Sequence, residues 1–379
     1  MINPTLGRAI RHEWRLDPDF LTVNHGSFGA TPNRVLAAQN VWRDRMETQP
    51  TRFMSTVLPD ALREAATRLA NFLGARGEDV VFVSNATGGC NAVLRSLSLG
   101  PGDEVLVLDH GYGAVRNAVR FVTAQVGARM TEAVIPFPHV TTDGLIDAVA
   151  EAMTPRTRLA VIDHITSGSA LIMPLEQIIA KCHDAAVPVL IDGAHGPGHV
   201  ALDLSKLGAD WYTGNCHKWL CAPKGCAFLW TSEQRQAETH PTVISHGYDK
   251  GYLAEFDWTG TADPSAFLSV GAAIDFHEHL GGASLRRRNI ELAAAAASLV
   301  ARRLNTETID QGGAMRLVRL AAGPDETANG LRTKLIHAGT DAPIHTIGGA
   351  LWLRLSAFAY NEIEDYARLA DIVARVLRE

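Results

Sequence analysis

The sequence predicts an α/β fold in which a mostly parallel sheet is covered by helices on both faces. From about residue 30 onward, short apolar runs rich in β-branched residues alternate with segments of helical periodicity. Such runs indicate buried strands, and a helix-length segment between two of them is the connection that parallel strands require. With 379 residues, of which 46% are hydrophobic, the chain is long enough to bury a large core.

The predicted helices begin and end at characteristic residues. Thr31-Pro32 combines an N-cap residue with proline at the first helical position, and Gly74 ends the helix predicted near 59–73. Further helices are predicted from Thr87 to Gly100, from about Tyr112, and from Pro174 to about Ala186. The predicted strands are VVFVS (80–84), EVLVLD (104–109), RLAVIDHI (158–165), PVLIDGA (188–194), ADWYTGN (209–215) and GCAFLWT (225–231).

The strand–helix alternation stops after about residue 240. A loop-rich stretch (241–265) is followed by a long alanine-rich helix around 285–304 and by a mixed α+β tail that runs to residue 379. This change of pattern predicts a large α/β domain followed by a smaller domain.

Composition and charge argue against several classes of protein. The net charge of −6 disfavours a general nucleic-acid binder. There is no run of about 18 apolar residues that predicts a membrane span, and the first residues lack the apolar core of a secretory signal. Five cysteines, an odd number in a long chain, fit free thiols in a reducing cytoplasm better than a disulfide framework. We therefore expect a cytoplasmic protein that binds neither nucleic acid nor membrane.

Polar residues follow the predicted strands at the edge where a site is expected. In an open parallel sheet, ligands bind at the carboxyl ends of the strands. The segments that leave these ends are Asn85–Gly89, His110–Tyr112, Thr166-Ser167, Asp192–His195 and Cys216–Lys218. Their convergence on one edge predicts a functional site there.

The segment Asn85–Gly89 predicts an anion site. Thr87 and two glycines open a helix, whose free backbone N–H groups favour a phosphate. The alternative is an ordinary N-cap with a flexible turn. The chain contains neither G-x-x-x-x-G-K-[ST] nor G-x-S-x-G, so a Walker-type nucleotide site and the common α/β-hydrolase site are both disfavoured.

Asp192 and Lys218 are candidates for contact with a cofactor. Asp192 follows a strongly apolar strand, so its carboxylate needs a partner, and a protonated ring nitrogen would be one. Lys218, one of six lysines against 29 arginines, stands beside Trp219 and Leu220. Desolvation there would lower its pKa and free its amine for Schiff-base chemistry. The alternatives are a capping aspartate and a surface lysine.

Three cysteines and a histidine near Lys218 raise the alternative of a metal site. Cys216, Cys221 and Cys226 are spaced as two C-x₄-C pairs, the permissive limit for structural zinc, and His217 adjoins the first. Cys226 lies in a predicted strand, whose side chains alternate and need not converge with Cys221. We therefore expect no metal and assign the cysteines to packing.

A phosphate cradle, a buried carboxylate and a lysine at consecutive strand ends together describe a site for pyridoxal 5'-phosphate (PLP). In such a site the lysine forms the imine, the acid keeps the pyridine nitrogen protonated, and the helix start holds the phosphate. Nine motifs over nearly the whole chain contain or accompany these residues. They are LTVNHGSFGATP (21–32), QPTRF (49–53), SNATGGCNAVLRSL (84–97), LDHGYGAV (108–115), VIDHITSGSALIMP (161–174), VLIDGAHGPGHVALDL (189–204), YTGNCHKWLCAPKGCAFLW (212–230), DWTGTADPSAFLSVGAAI (257–274) and LWLRLSAFAYN (351–361).

Through these motifs the chain resembles the class V aminotransferase group of fold-type I PLP enzymes, and within it the isopenicillin N epimerase-like branch. The resemblance implies a fold-type I PLP-dependent transferase with a mostly parallel, seven-stranded type of sheet. It implies an N-terminal segment (1–20) that packs with the small domain, a large PLP-binding α/β domain (21–255) and a small C-terminal α+β domain (256–379).

By position, the resemblance implies a role for each cofactor-binding residue. Lys218 would be the Schiff-base lysine, Asp192 would pair with the pyridine nitrogen, and His195 would lie against the cofactor's face or its phenolic side. Tyr112 takes the place of the residue that stacks on the ring; these four are the expected catalytic residues. The phosphate would be held by Thr87, Gly88, Asn215 and His217, and by Thr261 from a neighbouring subunit. The active site would then be shared within a homodimer.

The resemblance also implies where the substrate binds. Arg354 matches the arginine that pairs with a substrate α-carboxylate, a task suited to its planar fork. Asn24, His25 and Arg52 lie in segments that the resemblance places near the substrate. The alternative for Asn24 and His25 is that they only form a turn, and the alternative for Arg52 is an ordinary surface charge.

Two departures from relatives of the desulfurase type are visible. Those enzymes carry a catalytic cysteine ahead of the carboxylate-binding arginine, whereas DAPIHTIGGALWLR (341–354) contains none. Persulfide transfer to a scaffold protein is therefore disfavoured. Many of them also carry asparagine where Ser167 stands, so contact with the cofactor's phenolic oxygen is expected to differ.

The resemblance implies that freed Lys218 removes the Cα proton of an amino acid, after which three outcomes share the same residues. Epimerisation needs a second acid, for which Tyr112 and His25 are the candidates. β-Elimination cleaves a C–S bond, and transamination reprotonates the cofactor. The branch favours an epimerase or racemase; a C–S β-lyase of the cysteine desulfhydrase kind and a class V aminotransferase are the alternatives. A non-catalytic PLP-binding module is the alternative from another class.

Overall fold

A seven-stranded sheet lies at the centre of the chain, of which the computed structural model describes residues 5–323 and 325–378. The strands within these residues are β1 (Leu21–Thr22), β2 (Val80–Val83), β3 (Glu104–Leu108), β4 (Arg129–Ala133), β5 (Thr157–Asp163), β6 (Val189–Asp192), β7 (Trp211–Asn215), β8 (Ala227–Thr231), β9 (Met315–Leu320), β10 (Thr340–Asp341), β11 (Ile344–Ile347) and β12 (Ala350–Ser356). The large sheet has the order β2-β8-β7-β6-β5-β3-β4. Strands β3 to β7 are parallel, and β8 is antiparallel to both of its neighbours.

Helices pack on both faces of this sheet and around the C-terminal part of the chain. They are α1 (His25–Phe28), α2 (Asn33–Thr48), α3 (Pro50–Arg52), α4 (Leu58–Leu73), α5 (Ala86–Ser96), α6 (Gly113–Val126), α7 (Thr142–Ala152), α8 (Leu175–Asp184), α9 (Leu204–Leu207), α10 (Tyr252–Asp257), α11 (Ser265–Leu268), α12 (Val270–His279), α13 (Ala283–Arg303), α14 (Ala328–His337) and α15 (Ile363–Val376). A π-helix (Phe53–Val57) joins α3 to α4. No helix in the described parts of the chain is long and apolar enough to span a membrane.

The predicted strands match the observed ones because burial on both faces produces continuous apolar runs. All five residues of β3 are buried, and so are all five of β8. Helix α4 ends at Gly74, as predicted, with the glycine at φ +66°. Strand β4 was not predicted from the sequence, since it is an edge strand, RMTEA, with only Ala133 buried. Because most of its side chains are exposed or half-buried, β4 lacks the continuous apolar run by which a buried strand is predicted from sequence.

A second, three-stranded antiparallel sheet forms the C-terminal part, in the order β11-β12-β9. Helix α13 packs against β9 and against α15. The N-terminal strand β1 pairs in parallel with β10, so the start of the chain joins this part of the molecule. The preceding residues contact both parts, since the Gly7 N–H donates to the Ala359 carbonyl and Trp14 packs edge-on against Tyr360 and against Phe276 of α12.

The cores of the two parts suggest a revised division of the chain, which we put forward as a proposal. Residues 21–23 pack in the C-terminal core with α13 and α15. Helices α11 and α12 pack on α2 and α4 and belong to the core of the large sheet. We therefore propose that the large unit extends to about residue 285, beyond the expected boundary at 255. Residues 1–4 of the expected N-terminal segment lie outside the described residues.

Candidate active site

Two buried aspartates stand side by side at the carboxyl edge of the large sheet. Asp163 ends β5, Asp192 ends β6, and the two are direct partners in the parallel register. Asn215 ends β7, the next strand in the sheet. The predicted edge is therefore where the polar side chains converge, as the strand-end rule for open α/β sheets requires.

Asp192 is a buried carboxylate that forms no ion pair with any cation in the described parts of the chain. Only 4% of the residue is exposed, and its Oδ1 accepts the Ala194 backbone N–H at 3.0 Å. Burial raises the pKa of Asp192, while this backbone hydrogen bond and the Lys218 charge act in the opposite direction. A protonated pyridine nitrogen is the kind of partner that such a carboxylate lacks. The residue thus fits its expected role in holding PLP.

Asp163 was not identified as a candidate from the sequence. Burial and the neighbouring Asp192 raise the pKa of Asp163 well above its usual range, and the Tyr112 backbone N–H bonds to it. A signal was nevertheless present, because both AVID and VLID are apolar strands that end on aspartate. In a parallel sheet, two such ends on neighbouring strands become adjacent acids.

Lys218 lies in the turn that follows β7 and is removed from water. Burial and the charge of Arg354 lower the pKa of Lys218 to about 8, against the opposing effect of Asp192 and Asp163. Its Nζ lies 3.1 Å from Nε2 of His195. A lysine with this pKa has about a tenth of its amine uncharged at pH 7, far more than an ordinary lysine, and this is the nucleophilic and basic form.

His195 is enclosed between Lys218 and Trp219. Its Nδ1 lies 3.2 Å from the Trp219 indole nitrogen, which donates to it. Burial, together with the charges of Lys218 and Arg354, lowers the pKa of His195 well below its usual range. The imidazole is therefore neutral and carries a single ring proton.

The start of α5, where a phosphate cradle is expected, is fixed by two asparagine side chains. The Asn85 side chain accepts the Gly88 N–H at 2.8 Å, and the Asn215 Oδ1 accepts the Ala86 N–H at 2.9 Å. Asn215 therefore fixes the helix start and leaves only its amide nitrogen for a ligand. A Cβ at Gly88 would lie 3.6 Å from Asn85 Oδ1 and from Ser84 Oγ, which is ordinary van der Waals contact.

His217 completes this cradle under one condition. Its Nδ1 donates to the Cys226 carbonyl at 3.1 Å, so only Nε2 is left for a ligand. Burial lowers the pKa of His217 to about 4, so the ring is neutral by itself. A phosphate dianion beside it would raise that pKa, and a protonated ring would then donate to the anion. The helix start, Asn215 and His217 are compatible with a phosphate group.

Arg354 is a buried cation whose hydrogen-bond partners among the described residues are all neutral. Its Nη1 donates to the Ser167 carbonyl, and its Nη2 donates to Ser27 Oγ at 2.8 Å and to Asn24 Oδ1 at 3.2 Å. Its Nε is buried without a hydrogen-bond partner among the described residues. Burial lowers the pKa of Arg354 to about 10, so the guanidinium stays charged near neutral pH. An uncompensated, buried guanidinium is suited to bind a carboxylate.

A chain of hydrogen bonds supports Arg354 from behind. Asn24 bonds to Arg354 through Oδ1 and to Asp341 through Nδ2, the latter at 2.7 Å. Arg332 holds the same aspartate in a bidentate pair at 2.8 and 2.9 Å. The structure thus brings the expected residue Asn24 next to Arg354. Asp341 and Arg332 were not singled out from the sequence, since they lie on different elements.

His25 lies in the core beneath Lys218. Its ring stacks on Phe358 with 3.6 Å between the ring centroids, and its Nδ1 is bonded to the Tyr360 hydroxyl at 2.9 Å. Its Nε2 faces the Lys218 backbone carbonyl at 3.1 Å. Burial lowers the pKa of His25 to about 3. A neutral ring with both nitrogens engaged is suited to fixing the Lys218 turn.

Three expected residues lie at the surface. Tyr112, at the start of α6, is 44% exposed, and it lines a cavity of about 430 Å³ together with Ser167 and His345. Arg52 and Thr261 are exposed as well. Neither of them has a hydrogen bond to Lys218, Asp192 or Arg354 among the described residues, so their roles remain predictions.

The cysteines of the Lys218 region are packing residues in the described structure. All five cysteines of the chain are free and buried. No group of three or more potential metal ligands occurs within residues 5–323 and 325–378.

Known proteins with the same fold and related sequences carry PLP chemistry. The class-V aminotransferase family model matches residues 29–322. The chain is 33% identical over 385 residues to isopenicillin N epimerase of Amycolatopsis lactamdurans, which covers 95% of this chain and 96% of that protein. It is 31% identical over 401 residues to a probable chloroplastic L-cysteine desulfhydrase of Arabidopsis thaliana. This match covers 96% of this chain and 84% of that protein.

A solved structure confirms the predicted fold-type I architecture. A mutant of C-DES with glycine covalently linked to its PLP cofactor matches with a TM-score of 0.82 at 20% identity, covering 97% of this chain and 98% of that one. At this identity the likeness shows the fold alone. Together with the sequence relatives, it confirms the predicted family resemblance and the predicted cofactor.

Proposed function

This chain belongs to the class-V aminotransferase family of PLP-dependent enzymes, and we propose that it catalyses β-elimination with C–S cleavage on cysteine or an S-substituted cysteine. The observation that carries the proposal is the number of bases in the site. Lys218 is a desolvated amine beside His195 and Asp192, and Arg354 is the anchor for a carboxylate. One base and one anchor are sufficient for elimination.

The environment of His25 shifts the preference away from epimerisation. An epimerase of the two-base kind needs an acid on the face of Cα opposite to Lys218, and His25 was one of two candidates. Its ring is stacked on Phe358 and bonded to Tyr360, and its pKa is lowered to about 3, so it is poorly placed to deliver a proton near neutral pH. We propose instead that His25 positions the Lys218 turn.

The residues of the site would act in sequence. Arg354 binds the α-carboxylate through its planar fork, and the Lys218 amine takes the Cα proton onto Nζ. The electron pair of the Cα–H bond becomes the second bond between Cα and Cβ, and the sulfur leaves as a thiolate with the electron pair of the broken Cβ–S bond. Asp192 would hold a proton on the ring nitrogen of the cofactor. When bound, PLP supplies the sink for electron density from Cα.

Epimerisation is the second candidate function, and Tyr112 is the observation that favours it. Its side chain is 44% exposed and lines the same cavity as Ser167, whose carbonyl bonds to Arg354. A phenol in that place is available to protonate Cα if it lies opposite to Lys218. The similarity to an isopenicillin N epimerase supports this candidate as well.

Product analysis with S-alkyl-L-cysteines separates the two candidates. β-Elimination predicts equal amounts of pyruvate, ammonia and free thiol, with the remaining substrate of unchanged chirality. Epimerisation predicts the D-enantiomer without pyruvate. The Tyr112→Phe variant sharpens the result, because it removes the hydroxyl but keeps the aromatic ring. It should retain elimination, and it should lose epimerisation if Tyr112 is the second acid.

The two remaining alternatives predict other outcomes of the same assay. A class V aminotransferase would consume the amino acid only with a 2-oxo acid as partner substrate. A non-catalytic PLP-binding module would turn over no amino acid. The lowered pKa values of Lys218 and of the buried Arg354 argue against the latter, since perturbed groups of this kind cluster at functional sites.

A homodimer with shared active sites is proposed as the assembly. Thr261 is exposed in the segment whose neighbour Gly260 lines a cavity together with Gly88 of the phosphate cradle. The adjacent loop exposes Val243 and Ile244, large apolar side chains that a partner subunit would cover. Light scattering should report a dimer, and a fully active monomer would contradict the shared site.

We propose the cytoplasm as the location of the protein. The support is that every cysteine is free and buried, as expected in a reducing compartment. Microscopy of a tagged protein tests this assignment, which a signal confined to another compartment would contradict.

A further inference from the structure

The indole of Trp219 determines which nitrogen of His195 carries a proton. An indole N–H can only donate, and Trp219 Nε1 lies 3.2 Å from His195 Nδ1. Nδ1 must therefore present a lone pair. Both residues are at most 2% exposed, so water does not compete for this hydrogen bond.

The single ring proton of His195 must then be on Nε2. The ring is neutral because burial and nearby cations lower its pKa well below the usual range. The Nε2 atom lies 3.1 Å from Lys218 Nζ. His195 consequently offers a donor to Lys218, and only an uncharged amine has a lone pair with which to accept it. A Lys218 ammonium has no lone pair, so its N–H groups and the His195 Nε2–H would face each other as two donors without an acceptor.

We propose that Trp219 is a positioning residue that locks His195 in the Nε2–H tautomer and thereby selects the uncharged amine of Lys218. The inference rests on the proposed role of Lys218 as the base of the reaction. The lock favours the free amine before it takes the Cα proton. It also disfavours the ammonium afterwards, so that the proton is passed on instead of being retained.

The other groups around Lys218 act in opposite directions. Burial and the charge of Arg354 disfavour the ammonium, whereas two carboxylates, Asp192 and Asp163, favour it. His217, the preceding residue, is neutral, since burial lowers its pKa to about 4. Without a donor facing Nζ, the two carboxylates and a His195 ring that is free to accept would together stabilise the charged form.

Trp219 is held in the orientation that the lock requires. Its ring lies 4.2 Å from that of His199 and 5.4 Å from that of His25, and it is 1% exposed. His199 is fixed in turn, since its Nε2 accepts the Ala314 N–H at 2.7 Å. The indole is therefore clamped by packing.

The first test determines the tautomer directly. The full chain is labelled with ¹⁵N-histidine, and long-range ¹⁵N–¹H correlations are recorded for the PLP-loaded protein and after PLP has been removed with hydroxylamine. The His195 signals are assigned by their absence in His195→Gln. We expect the pattern of a neutral Nε2–H ring in both samples. An Nδ1–H ring or an imidazolium in the cofactor-free protein would overturn the proposal.

The second test measures the Lys218 pKa with and without the indole donor. The chain has six lysines, so ¹³Cε-lysine spectra of the cofactor-free protein are simple, and Lys218→Arg identifies the signal. We expect Trp219→Phe to raise the midpoint of Lys218 by about one pH unit, a tenfold change in the proton equilibrium. An unchanged midpoint in a folded variant would overturn the proposal.

Trp211→Phe is the matched control. Trp211 is also buried, and its indole donates to Thr239 Oγ1 at 2.9 Å. This variant removes a buried indole hydrogen bond of the same kind away from His195, and we expect the Lys218 midpoint to be unchanged. A shift as large as that of Trp219→Phe would show a general effect of core damage and would overturn the proposal.

Failure of the lock and failure of the proposed reaction give different results. Both tests use spectra of the protein itself and need no turnover. If no amino acid is converted, the proposed function fails while the tautomer and the lysine midpoint stand. If elimination is observed with an Nδ1–H tautomer, the function stands and the lock fails.

Discussion

Lys218 and Arg354 are two cations whose pKa values the fold lowers, yet only Lys218 comes to titrate close to neutral pH. Burial lowers the pKa of Lys218 to about 8 and that of Arg354 to about 10. Because arginine starts from a higher pKa, the same desolvation leaves it charged near neutral pH, whereas lysine becomes a usable base. One region of the site thus moves a proton, and the other holds a permanent positive charge.

Their neighbours follow the same division. Lys218 faces a titratable ring, His195, and two acids, Asp192 and Asp163. Arg354 faces only neutral oxygens from Ser167 and from the Asn24 and Ser27 side chains. A carboxylate beside Arg354 would neutralise it, so its absence among these contacts leaves the charge for a ligand. The comparison teaches that proton transfer and anion binding need opposite surroundings for a buried cation.

Removal of the Lys218 amine should have the largest effect. Lys218→Ala is expected to abolish turnover and the visible absorbance that depends on the lysine-bound cofactor. Lys224→Ala is the control, because Lys224 donates to the Gly29 carbonyl at 3.0 Å outside this set of contacts. Full activity in the Lys218→Ala variant would show that Lys218 is not the base of the reaction.

Truncation of Arg354 should weaken substrate binding instead. Arg354→Ala is expected to raise KM for amino acids by a factor corresponding to about 2–4 kcal/mol, the loss on truncating one partner of a buried charge pair. Arg354→Lys keeps a charge but loses the bidentate fork, so an intermediate KM is expected. Steady-state kinetics checks both variants, and an unchanged KM would place the carboxylate elsewhere.

The pH dependence should separate the two cations. Only uncharged Lys218 can bond to PLP, so the rate at which cofactor-free protein captures PLP should fall about tenfold per pH unit below about 8 and level off above it. Arg354 does not titrate in that range. Stopped-flow absorbance measures the rate, and a profile that is flat below pH 8 would contradict the lowered pKa of Lys218.

The smallest effect is expected for Asp341, which supports Arg354 through Asn24. Asp341→Asn keeps the shape of the side chain but weakens its pair with Arg332 and its hold on Asn24. A hydrogen bond to a charged group contributes about 1.5–3 kcal/mol, which corresponds to about tenfold or more in an equilibrium constant. We expect KM to rise by about tenfold with little change in kcat. A fall in kcat at constant KM would show that Asp341 acts on the Lys218 region.

The sequence predicts the parts of the site that follow from the strand-end rule. Asp192 ends an apolar parallel strand and Lys218 follows the next one, so their convergence requires no knowledge of side-chain packing. The same rule covers Asp163, which was overlooked because its strand continues as AVIDHI. The fold class was predicted for the same reason, since buried parallel strands are continuous apolar runs.

The burial of His25 and the Trp219–His195 contact could not be predicted in this way. His25 is enclosed by Phe358 and Tyr360, which lie more than 300 residues away along the chain. The Trp219 indole reaches His195 across a separation of 24 residues, through loops without a periodic pattern. Such contacts depend on how elements pack in three dimensions. The sequence therefore suggested His25 as an acid where the structure places a neutral core residue.

The most direct test of the central claim follows hydrogen exchange at Cα. An L-amino acid that cannot eliminate, such as L-alanine, is incubated in D₂O with the PLP-loaded protein and observed by proton NMR. If Lys218 removes the Cα proton of a substrate anchored by Arg354, the Cα signal disappears with the wild-type protein and persists with Lys218→Ala. Exchange that is equally fast in both proteins, or a Cα signal that persists in the wild type with every amino acid tried, would contradict it.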